Sequence, residues 1–425
     1  MDDTGKSIYN LAKKLWPINR SLTGNGVRES LRIIKELIPE LNIHEVPSGK
    51  KVYDWTIPNE WNVKEAWIKT PSGKIICNFS ENNLHLLGYS VPVHKKIKLD
   101  ELKRKLYTHE IDNAIPYRTS YYNKDWGFCL SKNEFNSLEE GLYEVFIDSE
   151  LKDGSLTYGE LIIKGKTDEE VFLSTYICHP SMANNELSGP CLTTFLAKYI
   201  LSKENLKTYR IIFIPETIGS INYIFDNLGI LKERMIAGFN ITCVGDNRCY
   251  SYLPSRQENT ISDLFAKKIL DDLVKDYKTY SWLDRGSDER QYCSPGVDLP
   301  VCSIMRSKFG EYPEYHSSLD DLNNVVSSKG LGSSYFLYKF LIDAIDFHCY
   351  PKSIFLCEPN LGNRGLYPLL SGGKKDISTK LLKNVLSYCD GKMSIVEISV
   401  KVQSSYLDTF LAIKKLKNAG LINTD

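Results

Sequence analysis

No stretch of the chain approaches the roughly 20 consecutive apolar residues that a membrane-spanning helix needs. The opening residues "MDDTGKSIYNLAKKLWPINRS" carry neither an apolar h-region nor a cleavage pattern. The expectation is a cytoplasmic protein with no membrane partner. There is no surplus charge either: Lys and Arg number 53, and so do Asp and Glu. No global field draws the chain onto nucleic acid or anionic lipid. Eleven cysteines are present, but none forms a Cys-x-x-Cys pair, which argues against a structural zinc ribbon. Several lie in apolar runs such as "NITCVG", and their odd number suits reduced, buried thiols. A Cys178–His179 nucleophilic pair is disfavoured, because neighbours on a strand point to opposite faces. Internal repeats and low-complexity linkers are absent. Histidine is scarce, with seven in 425 residues, so its placement carries information.

What is present is a chain long enough for two to four domains at roughly 100–200 residues each. Its hydrophobic content of 42% is enough for a large core. Apolar spacing gives a first helix in "KSIYNLAKKLWPIN", stopped by Pro17, and a second in "GVRESLRIIKELIP". Residues 46–165 are rich in Tyr, Trp, Asn, Gly and Pro, with short alternating runs. "EAWIKTPSGKIICNF" reads as a hairpin, and "GLYEVFIDSELKDGSLTYGELIIKG" as strands joined by an Asp-Gly turn. From about residue 170 continuous apolar strands alternate with helices: "VFLSTYI", "YRIIFIPE", "MIAGFNITCVG" and "GVDLPVCSIM" are the strands. That alternation predicts an α/β fold with a largely parallel, covered sheet. The expected organisation is an α/β body of residues 1–45 and 166–350, an inserted β-rich domain of 46–165, and a C-terminal unit of 351–425. The last holds three short helices and a final apolar strand and reads as a winged helix. Ser394 and Glu397 form a capping box there, and Gly420 ends the third helix.

In an open α/β sheet the site lies beyond the carboxyl ends of the strands. The first strand delivers His179, then Asn185 and Glu186; the second delivers Glu216 and Thr217; the third delivers Asp246 and Arg248. "DRGSDERQY" and "YPEYHSSLDD" add Asp288, Arg290, Tyr315 and His316. Two imidazoles and a carboxylate around an open position are what a hydrolytic zinc site needs, and a strand-end glutamate beside bound water can act as its general base. Each group alone has a plainer reading: a solvated loop histidine, a helix-capping acid, an ion-paired arginine. The convergence of several strand ends favours chemistry. Arg248, Arg256, Arg290 and Arg306, interleaved with tyrosines, would suit a small anionic substrate, since guanidinium forks grip carboxylates and phosphates.

The order of these elements resembles the zinc aminopeptidase superfamily, which also holds the glutaminyl cyclases. "WPINRSLTGNGVRESL", "CHPSMANNELSGP", "GSDERQY" and "EYPEYHSSLDDL" resemble more closely a bacterial aminopeptidase-like family with an inserted β domain and a C-terminal winged helix, associated with polysaccharide biosynthesis. The resemblance runs the whole chain. It implies a zinc-exopeptidase-like sheet. It makes His179 and His316 metal ligands, Glu216 the general base, and Asp288 the aspartate of the Ser-Asp motif. Asn185, Thr217 and Thr242 stand where that superfamily has metal-binding carboxylates. Amides and hydroxyls are poorer zinc ligands. The expectation is therefore one zinc ion per chain, held by His179, His316 and Glu186, with Asn185 and Asp246 as reserves. Asp288, Arg290, Arg256, Arg306 and Tyr315 would hold the substrate, a small peptide or an amino-acid or sugar-acid derivative. The expected activity is cleavage of an amide or peptide bond. The alternative is a catalytically altered small-ligand-binding protein. Residues 351–425 carry eleven Lys and Arg against six Asp and Glu. Even so, Leu411, Ile413, Leu416 and Leu421 claim much of the third helix for core, so contact with protein, including a homo-oligomer, is expected there rather than nucleic acid.

Overall fold

The computed structural model describes residues 2–121, 123–366 and 378–424. They divide into two units: residues 1–258 with 278–336, and residues 259–277 with 337–425.

The first unit is built on an eight-stranded mixed sheet. Its centre is four parallel strands in the order Thr208–Ile214, Glu170–Tyr176, Met235–Asn240, Val301–Met305. Every residue of Glu170–Tyr176 and Thr208–Ile214 is buried, as continuous apolar runs require when helices cover both faces. From Glu170–Tyr176 the chain passes through the helix Ser188–Leu201 to Thr208–Ile214 on one side. It then returns through the helix Ile218–Arg234 to Met235–Asn240 on the other. The strand order reverses at the carboxyl end of Glu170–Tyr176, and such a reversal opens a crevice there. His179 is three residues past that end.

Gly189 of the Ser-Gly pair lets the following helix approach the sheet. A Cβ at this position would lie 2.4 Å from the carbonyl oxygen of Ile241 and 2.5 Å from Thr175 Oγ1. Gly189→Ala should therefore cost about 1–3 kcal/mol, as overpacking of a tight core contact does. Chemical denaturation measures it, and a change under about 0.5 kcal/mol would mean that the helix moves away freely.

The β-rich segment forms a four-stranded antiparallel sheet in which Glu60–Lys69 and Leu142–Lys152 are the long central pair. The Pro-Ser-Gly hairpin is there, with Ile68 opposite Ile76. The Asp-Gly turn is not a hairpin. The strand Ser155–Ile163 leaves its predecessor and pairs in the large sheet, between Asn42–Pro47 and Thr208–Ile214. Seven of its nine residues are buried. A strand covered on both faces belongs in the central layer, which the alternating pattern of its neighbour cannot supply.

Arg28, on the helix Asn25–Leu37, ties this region together. Its Nη1 donates to Glu60 Oε1 at 2.8 Å, its Nε to Glu45 at 3.0 Å, and its Nη2 also reaches Glu60. The guanidinium holds the Glu60 carboxyl at about 2, below its ordinary 4.5. A depressed carboxylate stabilises the fold fully above the unfolded value, and this contribution fades as pH falls from about 4.5 toward about 2. Urea midpoints across that window should fall more steeply for the native chain than for Glu60→Gln. Equal slopes would contradict it.

The second unit contains the helices Thr379–Ser387, Ile395–Lys401 and Tyr406–Asn418, with Lys352–Ser353 paired antiparallel to Ile422–Asn423. The Ser394–Glu397 capping box is formed, and Gly420 adopts a φ of 66° just past the third helix. Leu382, Val385, Ile395, Ile398, Ala412, Ile413 and Leu416 make its core. Leu407 and Leu411 are exposed on the third helix. No described helix is long and apolar enough to cross a membrane.

Candidate active site

Three strand ends and one inserted loop converge at the crevice. After Tyr176 the chain turns through Cys178, His179 and Pro180 into a wide π-type turn, Ala183–Leu187, which is wholly buried. Such turns are rare and are frequent at functional sites. This one places Glu186 against His179, with Nδ1 3.0 Å from Glu186 Oε2. Behind Glu186 lies Arg20, its Nε 3.5 Å from Oε1, and neither side chain is exposed. Arg20 also donates to the carbonyl oxygens of His179, at 3.1 Å, and Leu15, at 2.7 Å. Burial opposes a charge on His179, but Cys178, Tyr117 and Glu186 outweigh it and raise the imidazole well above its ordinary value.

Glu216 follows the strand Thr208–Ile214, with Oε2 3.7 Å from His179 Nε2 and Oε1 accepting from the Ser287 hydroxyl at 2.8 Å. Burial raises its pKa; His179, Ser287 and Arg290 oppose that rise. The next residue is strained. Thr217 has φ 66° and ψ −79°, and Ile218 N donates to Glu216 O at 2.9 Å. This is a γ-turn of the rare strained form, on a β-branched residue. It is held from both sides: Thr217 N donates to Asp288 Oδ1 at 2.7 Å, and Arg290 Nη2 donates to Thr217 Oγ1 at 2.6 Å. Asp288 is fully buried, and burial and the neighbouring Glu216 push it up to about 8.

His316 comes from the loop after Val301–Met305 and carries a φ of 55°. The inserted segment clamps it. Tyr117 N donates to the His316 carbonyl at 2.8 Å, and Ile115 and Ser318 pair alongside. The Tyr117 ring lies against both imidazoles, with centroids 5.1 Å from His179 and 5.2 Å from His316. The two histidine rings are 5.7 Å apart. Tyr315 stacks on His316 at 3.8 Å and 15°, so it fixes that ring. Burial, His179 and Arg118 hold His316 down at about 3, which keeps the imidazole neutral.

A cavity of about 180 Å³ opens beside these groups. Its walls include His179, Glu216, Thr217 and Arg290 on one side and Trp61, Tyr89, Tyr117 and Tyr121 of the inserted segment on the other. Other predicted site residues lie apart from it. Arg256 is ion-paired with Asp298 and half exposed. Arg306 packs its guanidinium over Tyr250 at 4.0 Å. Asp246 is a structural acceptor, taking bonds from Asn184 Nδ2, Arg248 N, and Ser307 N and Oγ. Arg248 pairs with Glu314. Sequence reasoning passed over Arg20, Tyr117 and Ser287. The arginine lay in the quoted loop "INRSLTG" between two amphipathic helices and the serine in the Ser-Asp motif, but neither was assigned a role.

One candidate metal-binding group lies at this turn among the described residues. Cys178, His179 and Glu186 place ligand atoms within 4.8 Å of one another. Thr242 Oγ1 is 2.5 Å from the Tyr176 hydroxyl and 3.1 Å from Asn185 O, and Thr217 Oγ1 is taken by Arg290. Asn185 accepts from Tyr176 through its own Oδ1 at 3.1 Å. Three neutral groups already engaged with each other or with an arginine are poor ligands for a metal ion.

The fold and the strand-end site define an aminopeptidase-like α/β protein with a C-terminal winged helix. A zinc aminopeptidase from Bacillus subtilis superposes with a TM-score of 0.58 at 14% identity, covering 80% of this chain and 94% of that one. A crystal structure of a Clostridium acetobutylicum protein, provisionally named a peptidase, gives a TM-score of 0.93 at 42% identity, covering 100% of this chain and 97% of that one. A Clostridium acetobutylicum protein named for polysaccharide biosynthesis and an aminopeptidase-like domain is 45% identical over 94% of this chain and 92% of its own length. Residues 9–348 match the family described as Domain of unknown function (DUF4910), and residues 349–424 match a winged helix-turn-helix family. The chain belongs to this aminopeptidase-like DUF4910 family.

Proposed function

We propose that the protein is a metal-dependent hydrolase that cleaves an amide bond of a small substrate, with Glu216 as general base and a single zinc ion held at His179 and His316. The observation that carries this reading is the pairing of a buried and a half-buried imidazole 5.7 Å apart with a half-buried carboxylate 3.7 Å from the first. Zinc bound there would supply a Lewis acid and lower the pKa of water. Glu216 has the complementary task. Ser287 holds Oε1, which leaves Oε2 to take a proton from water, and burial raises the pKa of Glu216 above the ordinary carboxylate value, which makes it a stronger base. Glu186 accepts at His179 Nδ1 and so orients the ring, as a carboxylate behind a metal-bound histidine does. An ion on the Nδ1 side would face the buried Arg20 guanidinium, and the Cys178 thiol there is pushed up to about 11 by burial. For both reasons the Nε2 side is favoured, with Glu186 as an orienting partner instead of the ligand expected from the sequence. The chain with added zinc should hydrolyse members of a panel of short peptides and N-acyl amino acids, and a chelator should abolish this reversibly. No turnover of any member would reject the reading.

The neutral Asn185, Thr217 and Thr242 favour a second reading, a small-ligand-binding protein without turnover. In that case Glu216→Gln keeps full ligand affinity while no substrate is cleaved.

A further inference from the structure

The cavity beside Glu216 carries more cationic than anionic lining. Arg20 and Arg290 line it, and Glu216 is the one carboxylate among its lining residues. Both arginines hold donors that are not used. Arg20 Nη2 and Arg290 Nε are buried and have no hydrogen-bond partner among the described residues. Arg20 is 1% exposed, its Nε and Nη1 are committed to backbone carbonyls, and Glu186 lies 3.5 Å from Nε. Arg290 is fixed in place: Nη2 binds Thr217, and the adjacent Glu289 anchors the loop by accepting from Gly286 N and Asn240 Nδ2. A buried charged donor without an acceptor is costly, and folded proteins seldom keep one. The planar guanidinium is shaped to donate to two oxygens of a carboxylate or phosphate. An ammonium group in the same cavity would meet the Arg290 guanidinium and a single lining carboxylate, Glu216, while the Arg20 charge is shared with Glu186. The far wall is aromatic, with Trp61 stacked on Tyr89 at 5.6 Å and Tyr121 edge-on to Tyr89 at 6.1 Å.

We infer that the substrate binds through an oxyanion, a carboxylate or a phosphate, gripped by Arg290, and that the site selects against the free amine on which an aminopeptidase acts. This deepens the hydrolase reading and rests on it for the identity of the cavity as a substrate site. The anion lies beside the reacting centre, and the Trp61–Tyr89 wall receives an apolar or ring portion.

The test compares three small probes of similar shape, 3-phenylpropionate, phenyl phosphate and phenethylammonium, by calorimetric titration of the full chain. Titrations are run with zinc and after its removal by EDTA, in the native chain, Glu216→Gln, Arg290→Met and Arg290→Lys. At least one anion should bind about tenfold or more tighter than the ammonium, and the stronger of the two tells a carboxylate from a phosphate substrate. Arg290→Met should remove most of that preference, while Arg290→Lys keeps a good part of it. An ammonium that binds as well as both anions overturns the assignment. So does a preference that survives Arg290→Met and disappears with EDTA, since the metal would then be its source. Glu216→Gln separates the two claims. If it shows the anion preference while the zinc-loaded native chain cleaves nothing, the hydrolase reading fails and the subsite stands. If the native chain cleaves amides but binds anions no better than the ammonium, the subsite fails and the hydrolase reading stands.

Discussion

Glu216→Gln should lower turnover by about 100- to 10,000-fold with the fold and zinc content unchanged, the range lost when a positioned general base is removed. The amide keeps the shape and can still accept from Ser287, whose hydroxyl now holds Oε1 at 2.8 Å. What it loses is the capacity to take a proton. The native pH profile should bear the same mark. Activity requires the carboxylate, so kcat/KM should rise with pH through a value above the ordinary 4.5, because burial raises Glu216. That rise should be missing from the residual activity of the variant. A variant that retains more than about a tenth of native turnover would remove Glu216 from the chemistry.

Arg20→Met should destabilise the chain by about 3–5 kcal/mol, the cost of stripping the partner from a buried charge. Glu186 is fully buried, with the Arg20 guanidinium at 3.5 Å and the His179 imidazole at 3.0 Å beside it. The methionine also abandons the carbonyls of Leu15 and His179, so the strand end carrying the first histidine loses its tie to the N-terminal helix. Adding Glu186→Gln to Arg20→Met should restore part of the loss, because the unpaired charge is then gone. Two effects that simply add would mean that the pair is not coupled. Denaturant unfolding of the four proteins gives the answer, and a cost below about 1 kcal/mol for Arg20→Met would contradict the account.

The strand-end residues His179 and Glu216 could be found from the sequence because each follows a long apolar run, and a parallel sheet delivers all such ends to one rim; His316 sits farther along, in the loop after Val301–Met305, and its scarce residue type marked it. The shortage of carboxylates at Asn185, Thr217 and Thr242 was equally visible, and the hydrogen bonds of Thr242 and Thr217 now give it a physical form. The arginines were harder to place. Arg290 reaches the cavity, whereas Arg256 and Arg248 end in ion pairs with Asp298 and Glu314. Spacing along the chain cannot tell these fates apart, because each depends on where a distant acid lies. Tyr117 was hidden for a related reason. It reaches the site from a segment read as a separate domain, and only the pairing of residues 115–117 with 316–318 reveals it. The strained turn at Thr217 is likewise a product of tertiary contacts with Asp288 and Arg290, to which no local propensity points. The strand Ser155–Ile163 shows the same limit on the scale of the fold, since the Asp-Gly turn before it has the residues of a hairpin and the geometry of a crossover between two sheets.

Anomalous diffraction from crystals grown with zinc tests the central claim most directly. The account predicts one metal peak per chain, bonded to His179 Nε2 and to an imidazole nitrogen of His316 with Glu216 alongside, and no peak in His316→Ala. Two peaks, a peak among Cys178, His179 Nδ1 and Glu186, or none at all with zinc in excess would contradict it.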